Sequence, residues 1–145
     1  MRVKTKHLHI LSETEKLDLV RHFIHEAARR FGFDEESASK IMLAVDEACT
    51  NVIKHSYENA PTKGIDIDIV TNEKRFEIVI THEGRPFDPD SVKTPDMKKY
   101  LSQYRRGGLG IHLMRSLMDK VEYRTSRDRR NEVHLVKFLP TNSDH

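Results

Sequence analysis

The spacing of apolar residues divides the chain into short periodic segments separated by polar breaks. Residues 2–11 end in an alternating apolar stretch, which predicts a strand. Ser12 and Glu15 then have the spacing of a capping box, and Gly32 has the position of a helix stop. The apolar residues between them recur at helical spacing and predict a first helix; they are Leu17, Val20, Ile24, Ala27 and Phe31.

A second helix is predicted from a cap at Asp34 to about His55, and a turn follows over residues 58–64. The apolar stripe of this helix consists of Ala38, Ile41, Met42, Val45, Ala48 and Val52. Two alternating segments, 65–70 and 76–80, flank a turn at Asn72-Glu73. This arrangement predicts an antiparallel hairpin with one buried face.

Residues 83–107 lack any regular period and are broken by Gly84, Pro86, Pro89 and Pro95. A loop of that length in a compact domain is typically a functional lid or a disordered connection. Periodicity returns in a helix from Leu109 and in a closing hairpin of strands 121–126 and 132–139. The order predicts one α+β domain over residues 1–145, a two-layer sandwich with a mixed, mostly antiparallel sheet covered on one face by helices.

Composition narrows the class of protein. The 145 residues include 25 Lys and Arg against 23 Asp and Glu, a formal charge of +2, so no basic surface for nucleic acid is expected. No apolar stretch approaches the roughly 20 residues of a membrane span. The single cysteine, Cys49, favours a reducing compartment, and a cytoplasmic location is expected. The nine histidines lack metal-ligand spacing on a predicted helix, and scattered surface positions are expected for them.

The second predicted helix carries the first chemical motif, Glu47-x-x-x-Asn51. Residues four apart lie one above the other on a helix, and this pair lies off the apolar stripe. An amide oxygen suits Mg²⁺, and a nearby carboxylate can orient or deprotonate a nucleophile. Lys54 would point a positive charge toward the same ligand. The alternative is an ordinary polar helix face, because this spacing alone is common.

The second motif is the run Gly107-Gly108-Leu109-Gly110, where the long loop meets a helix. Glycines let the backbone approach a phosphate closely, and a helix start attracts anions. Arg106 before the run would add positive charge. The spacing fits neither a P-loop nor a Rossmann fingerprint, and taken alone the run could be only a hinge and helix cap.

The third motif, His82-Glu83-Gly84 and the residues after it, lies at a predicted strand end. Taken alone, His82 is either a polar contact to a ligand or an exposed histidine of no consequence.

Together, the three segments resemble the boxes of the GHKL ATPase superfamily, and most closely those of its small anti-sigma factor serine kinases. Residues 46–55 (DEACTNVIKH) resemble the N box, 82–89 (HEGRPFDP) the G1 box, and 106–114 (RGGLGIHLM) the G2 box, and 118–123 continue the likeness. The resemblance covers nearly the whole chain and implies the Bergerat ATP-binding fold, with an ATP lid over residues 85–106.

The resemblance also implies roles for individual residues. Asn51 matches the Mg²⁺-binding asparagine, Glu47 the candidate general base, and Gly84 the glycine near the adenine. The other residues implied in nucleotide binding are Lys54, His82, Arg106, Gly107, Gly108, Leu109 and Gly110, of which Gly108 and Gly110 match the phosphate-contacting glycines. The implied cofactors are ATP and Mg²⁺.

The implied activity is phosphorylation of a serine on a small antagonist protein, in a partner-switching pathway that also includes a sigma factor. A homodimer is expected from the same resemblance, through the first strand and the first helix.

The chain departs from the family pattern at two places. His82 stands where the family has an aspartate that accepts a hydrogen bond from adenine, and Arg130-Asn131 stands where a Gly-Thr pair is common. A neutral imidazole can accept one hydrogen bond, whereas a protonated one accepts none. The alternative hypothesis is therefore a module that keeps the fold and sequesters a partner but binds nucleotide weakly or not at all. A third, the ATP-binding half of a histidine kinase, is disfavoured because no helical hairpin with a phosphoacceptor histidine is predicted.

Overall fold

The computed structural model describes residues 3–56, 63–83, 106–125 and 130–140. Within these ranges, two short helical turns, a 3-10 turn at Thr14–Lys16 and a π turn at Val52–Ser56, accompany three helices and five strands. These elements are β1 (Val3–Leu11), α1 (Leu17–Phe31), α2 (Glu35–Asn51), β2 (Gly64–Asn72), β3 (Arg75–His82), α3 (Arg106–Leu117), β4 (Lys120–Thr125) and β5 (Asn131–Phe138).

The strands form one sheet in the order β1-β2-β3-β5-β4. Each pairing between described strands is antiparallel, so the predicted α+β class is confirmed while the expected parallel component is absent from this part of the chain. Short hairpins impose the antiparallel direction on β2–β3 and β4–β5. The register places Ile65, His82 and Asn131 side by side at one end of the sheet.

The core lies between the sheet and the helices. One face of the central strands is apolar and fully buried, as the alternating pattern predicts. Its residues are Ile65, Ile67, Ile69, Phe76, Ile78, Ile80, Val133 and Leu135. The apolar stripes of α1 and α2 pack on this face, and α2 lies between α1 and α3. Burial of each large side chain stabilises the fold by about 1.5–3 kcal/mol, so this layer fixes the position of α2.

Helix ends follow the sequence signals in part. Asp34 caps α2 by accepting a hydrogen bond from the Ser37 amide at 2.8 Å, and Gly32 ends α1 at φ +126°, both as predicted. The prediction of a capping box at Ser12 and Glu15 is wrong. A 3-10 turn forms there, α1 begins only at Leu17, and neither N-cap has a side-chain cap bond.

The outer face of the sheet, opposite the helices, carries ordered pairs of histidines and carboxylates. His7 Nδ1 lies 2.7 Å from Asp68 Oδ1, and His134 contacts Glu77 and Glu132 at 2.7 Å each. His9 makes a similar contact with Asp66 at 2.8 Å. Each histidine has a carboxylate partner on a neighbouring strand, and His134 has a second one, Glu132, two residues away on the same strand. His7 and His9 are exposed, as expected for surface histidines, whereas His134 is buried.

Candidate nucleotide and metal site

Asn51 is the last residue of α2, immediately before the π turn, and it is only 6% exposed. Its amide nitrogen Nδ2 is buried and has no hydrogen-bond partner among the described residues. A buried polar group without a partner costs about 1–3 kcal/mol, and such groups often mark a functional position. The O and N of an asparagine amide exchange by a simple flip, so either atom can face a ligand at this position.

The two carboxylates nearest to Asn51 on α2, Asp46 and Glu47, are adjacent in sequence. Asp46 accepts a hydrogen bond from Arg21 Nε at 2.9 Å, and Arg21 also contacts Asp18 at 2.7 Å. Asp46 therefore ties α2 to α1. Glu47 is half-buried and lies one turn before Asn51, on the same side of the helix. The predicted pairing of Glu47 with Asn51 on one helix face is consistent with this geometry.

Two other residues of this segment, Lys54 and Cys49, differ in exposure. Lys54 lies in the π turn and is exposed, whereas Asn51 is buried, so the two side chains do not share one buried surface. Cys49 is fully buried, and burial raises the pKa of its thiol to about 12. A thiol with that pKa is inert as a nucleophile at neutral pH.

His82 ends β3 and is 3% exposed, so it is neither at the surface nor scattered. Burial lowers the pKa of its imidazole, which keeps the ring neutral at pH 7. Its Nδ1 lies 3.3 Å from the Glu83 carbonyl oxygen. A carbonyl only accepts, so Nδ1 carries the hydrogen in this contact and Nε2 has the acceptor lone pair. The neutral ring therefore retains the acceptor function that protonation would remove.

Asn131 is a buried polar residue beside His82 that motif reasoning did not assign to the site. It is 4% exposed, pairs with His82 across β3 and β5, and accepts a hydrogen bond from Thr125 Oγ1 at 3.1 Å. The sequence signal was available, because Arg130-Asn131 is one of the two departures from the family pattern. His82 and Asn131 together form a polar end to an otherwise apolar sheet face.

The glycine run lies in the first turn of α3, which begins at Arg106 rather than at Leu109 as predicted. The first four amides of a helix have no intrahelical acceptor, so the backbone of residues 106–109 offers donors to an anion. Farther along α3, the ring nitrogen Nε2 of His112 is buried without a partner among the described residues. Gly84 and residues 85–105, most of the predicted lid, lie outside the described residues.

The three motifs lie on elements that are neighbours in space. Helix α2 packs against α3 and touches β3 and β5. Within the described ranges, no group of three or more His, Cys, Asp or Glu side chains could hold a metal ion. A Mg²⁺ ion needs no such group, since it is usually bound through one or two protein oxygens together with phosphates and water. Asn51 offers an amide oxygen of the kind that a Mg²⁺ ion bound together with a nucleotide takes as a ligand.

Comparisons with known proteins agree with this arrangement. A family model described as the histidine kinase-like ATPase domain matches residues 10–137. The serine-protein kinase RsbW of Halalkalibacterium halodurans is 33% identical over 140 residues, which cover 94% of this chain and 84% of that protein. The RsbW of Bacillus subtilis strain 168 is 32% identical over 115 residues, covering 76% and 71% of the two chains.

A solved structure supports the fold independently. The RsbU and RsbW domains of Rv1364c from Mycobacterium tuberculosis superpose with a TM-score of 0.67 at 14% identity, covering 94% of this chain and 32% of that one. With the family model, this likeness defines the class: the chain belongs to the histidine kinase-like ATPase family. The chain is also similar to the RsbW proteins, which are serine-protein kinases. This similarity confirms the predicted activity at the level of an ATP-dependent serine-protein kinase of the anti-sigma type. No helix in the described ranges is long and apolar enough to cross a membrane.

Proposed function

We propose that this chain binds ATP with Mg²⁺ and phosphorylates a serine of a small antagonist protein in a partner-switching pathway. The observation that carries the proposal is the buried amide nitrogen Nδ2 of Asn51, which lacks a hydrogen-bond partner among the described residues, in the residue that matches the metal-binding asparagine of the family. The protein retains this unpaired polar group, despite its cost in stability, because a bound ligand supplies the missing partner.

Asn51 would hold Mg²⁺ through its side-chain oxygen, and the first turn of α3 would hold the phosphates. The phosphate contacts are assigned to the backbone of residues 106–110, with Gly108 and Gly110 allowing close approach. ATP supplies the transferable phosphoryl group, and Mg²⁺ neutralises its charge. Lys54, which is exposed, contributes at most a screened positive charge nearby.

Glu47 is the residue we assign as general base toward the serine hydroxyl. A base must lie within hydrogen-bond reach of the proton that it removes, and Glu47 lies one turn from Asn51 on the same helix side. Its neighbour Asp46 forms an ion pair with Arg21 at 2.9 Å and is assigned as a positioning residue.

His82 is assigned to the adenine, in place of the aspartate of the family. Its Nε2 would accept a hydrogen bond from the exocyclic amine of the base, which the neutral ring allows. Asn131, beside it in the sheet, offers a second polar group at the same end. The role of Gly84 near the adenine stays a prediction. These assignments favour the kinase over the nucleotide-free binding module that the loss of the aspartate suggested.

The partners that we propose are an antagonist protein as phosphoacceptor and a sigma factor, with a homodimer as the active form and the cytoplasm as its location. These proposals rest on the resemblance of this chain to RsbW-type kinases and on its membership of the histidine kinase-like ATPase family.

A comparison of Glu47 with Asp46 tests the proposed function. Each small antagonist-type protein of the source organism is incubated with the kinase and radiolabelled ATP, and labelled serines are identified by mass spectrometry. We expect Glu47→Gln to retain ADP binding and to lose transfer by about 10²-fold or more, the usual contribution of a general base. Asp46→Asn is the matched control and should transfer at a rate much closer to that of the wild type. Wild-type transfer by Glu47→Gln, or loss of its ADP binding, would contradict the role given to this residue.

A further inference from the structure

A pocket opens between β1 and the C-terminal end of α1, at the opposite end of the sheet from His82. The register shows the separation, since the pocket residue Thr71 pairs with Lys4 and Phe76, whereas His82 pairs with Ile65 at the other end of β2. The cavity volume is about 280 Å³. It is therefore distinct from the proposed nucleotide site.

The floor of the pocket is apolar and built from the core. It consists of Ala27 and Phe31 of α1, Ile69 of β2 and Phe76 of β3. Ile69 and Phe76 are fully buried, and the rings of Phe31 and Phe76 lie 5.5 Å apart at an interplanar angle of 49°. These side chains are held by packing, so the floor exists before any ligand arrives.

The rim of the pocket is positively charged. The core-facing positions of β1 alternate as Ile10, Leu8, Lys6 and Lys4, so the strand changes from apolar to cationic where α1 ends. Lysine stems lie along apolar surface while their ammonium groups stay at the mouth. Within the described residues, neither Lys4 nor Lys6 forms an ion pair, whereas the third rim cation, Arg30, pairs with Glu26 at 2.7 Å. Two ammonium groups at the rim are left without a described counter-charge.

We propose that this pocket binds a small amphipathic anion, with a short acyl or aryl group on the phenylalanine floor and a carboxylate at the lysine rim. Size supports a single small group, because a cavity of about 150 Å³ accommodates benzene and this one is roughly twice as large. Charge complementarity fixes the sign of the head group, and the Thr71 hydroxyl at the rim adds a hydrogen-bond donor. The inference is independent of the nucleotide site and holds even if that site fails.

Three ligands with one tail and different heads test the proposal. The isotope-labelled full chain is titrated with octanoate, octan-1-ol and octyltrimethylammonium, and amide shifts are followed by NMR. We expect octanoate to move the amides of Ile69, Thr71 and Phe76, to bind roughly tenfold more tightly than the alcohol, and to bind far more tightly than the cation. The combined change Lys4→Met and Lys6→Met should weaken octanoate about tenfold, because the stems remain and the charges are removed.

The control is Lys40→Met, which changes an exposed lysine on α2 that does not line the pocket and should leave octanoate binding unchanged. A second variant, Ala27→Met, fills the floor and should abolish binding if it folds, while the lysine variants keep the test informative if it does not. Equal binding of the three ligands, or unchanged octanoate affinity in the double lysine variant, overturns the proposal. Absence of any shift also overturns it, and sedimentation then shows whether a second copy of the chain covers the pocket.

Discussion

Replacing Asn51 by leucine should make the ligand-free protein more stable, which is unusual for a buried residue. Asn51 is 6% exposed, and its Nδ2 has no hydrogen-bond partner among the described residues. The unsatisfied donor costs about 1–3 kcal/mol, and leucine has nearly the same shape without polar atoms. After allowing for any bonds of the amide oxygen, we expect a gain of about 1 kcal/mol in the free energy of unfolding. For a chain of this size that gain raises Tm by about 2–5 °C.

The assay is urea and thermal unfolding in the absence of nucleotide and in the presence of a chelator. Asn131→Leu is the matched control, because Asn131 is also buried but accepts a hydrogen bond from Thr125 at 3.1 Å. That variant should lose about 1 kcal/mol, since the bond is removed. If Asn51→Leu destabilises the protein as much as the control does, the amide is a structural group and the inference from its missing partner is refuted.

Three further predictions concern pH and packing. Burial lowers the pKa of His82 from 6.5, so the unfolded state binds a proton more readily than the folded state does. Stability should therefore fall below about pH 6.5 in the wild type and fall less in His82→Gln. Urea midpoints at about pH 7.5 and about pH 5.5 measure this difference. The hydrogen bond to Asp68 raises the pKa of His7. The small stabilising effect of this bond is therefore complete below about pH 6.5 and is lost as pH rises through the folded-state pKa. His7→Gln should lower the free energy of unfolding more at about pH 5.5 than at about pH 8.5, measured by the same urea midpoints. Phe76→Ala should cost about 3–5 kcal/mol, whereas Phe138→Ala, at a site 45% exposed, should change stability by less than about 0.5 kcal/mol in denaturant titrations.

The strands of the sheet could be predicted from sequence because the signal, an alternation of apolar and polar residues, lies within each strand. Ile65, Ile67 and Ile69 alternate with polar residues, and that alternation alone orients β2 with its apolar side toward the helices. The closing hairpin was placed to within one residue at each described boundary for the same reason. Asp34 and Gly32 were recognised because capping chemistry depends on few residues.

Features that depend on several elements could not be predicted in this way. The spacing of Ser12 and Glu15 fits a capping box, yet the backbone leaves β1 through a 3-10 turn, a path that tertiary packing selects. Asn51 lies off the predicted apolar stripe of α2 and is nevertheless buried, because α3 and the sheet cover the end of α2. The neutral state of His82 likewise follows from burial by distant segments rather than from its own motif.

The pocket near Phe31 and the histidine pairs of the outer face have the same origin. Lys4 and Lys6 belong to a predicted strand, but their position at a gap beside α1 follows only from the packing of that helix. His7 and Asp68 are 61 residues apart in sequence and meet through the β1–β2 register. Long-range pairing of this kind leaves no short motif to read.

The most direct test of the central claim is calorimetric titration of the full chain with ATP, in the presence and absence of Mg²⁺, for the wild type and for Asn51→Ala. Asn72→Ala, at the other end of the sheet, is the control. The account predicts wild-type binding that strengthens at least tenfold with Mg²⁺, a gain that Asn72→Ala keeps and Asn51→Ala loses. A wild-type protein that binds no nucleotide, or an Asn51→Ala variant with the full effect of Mg²⁺, would contradict it.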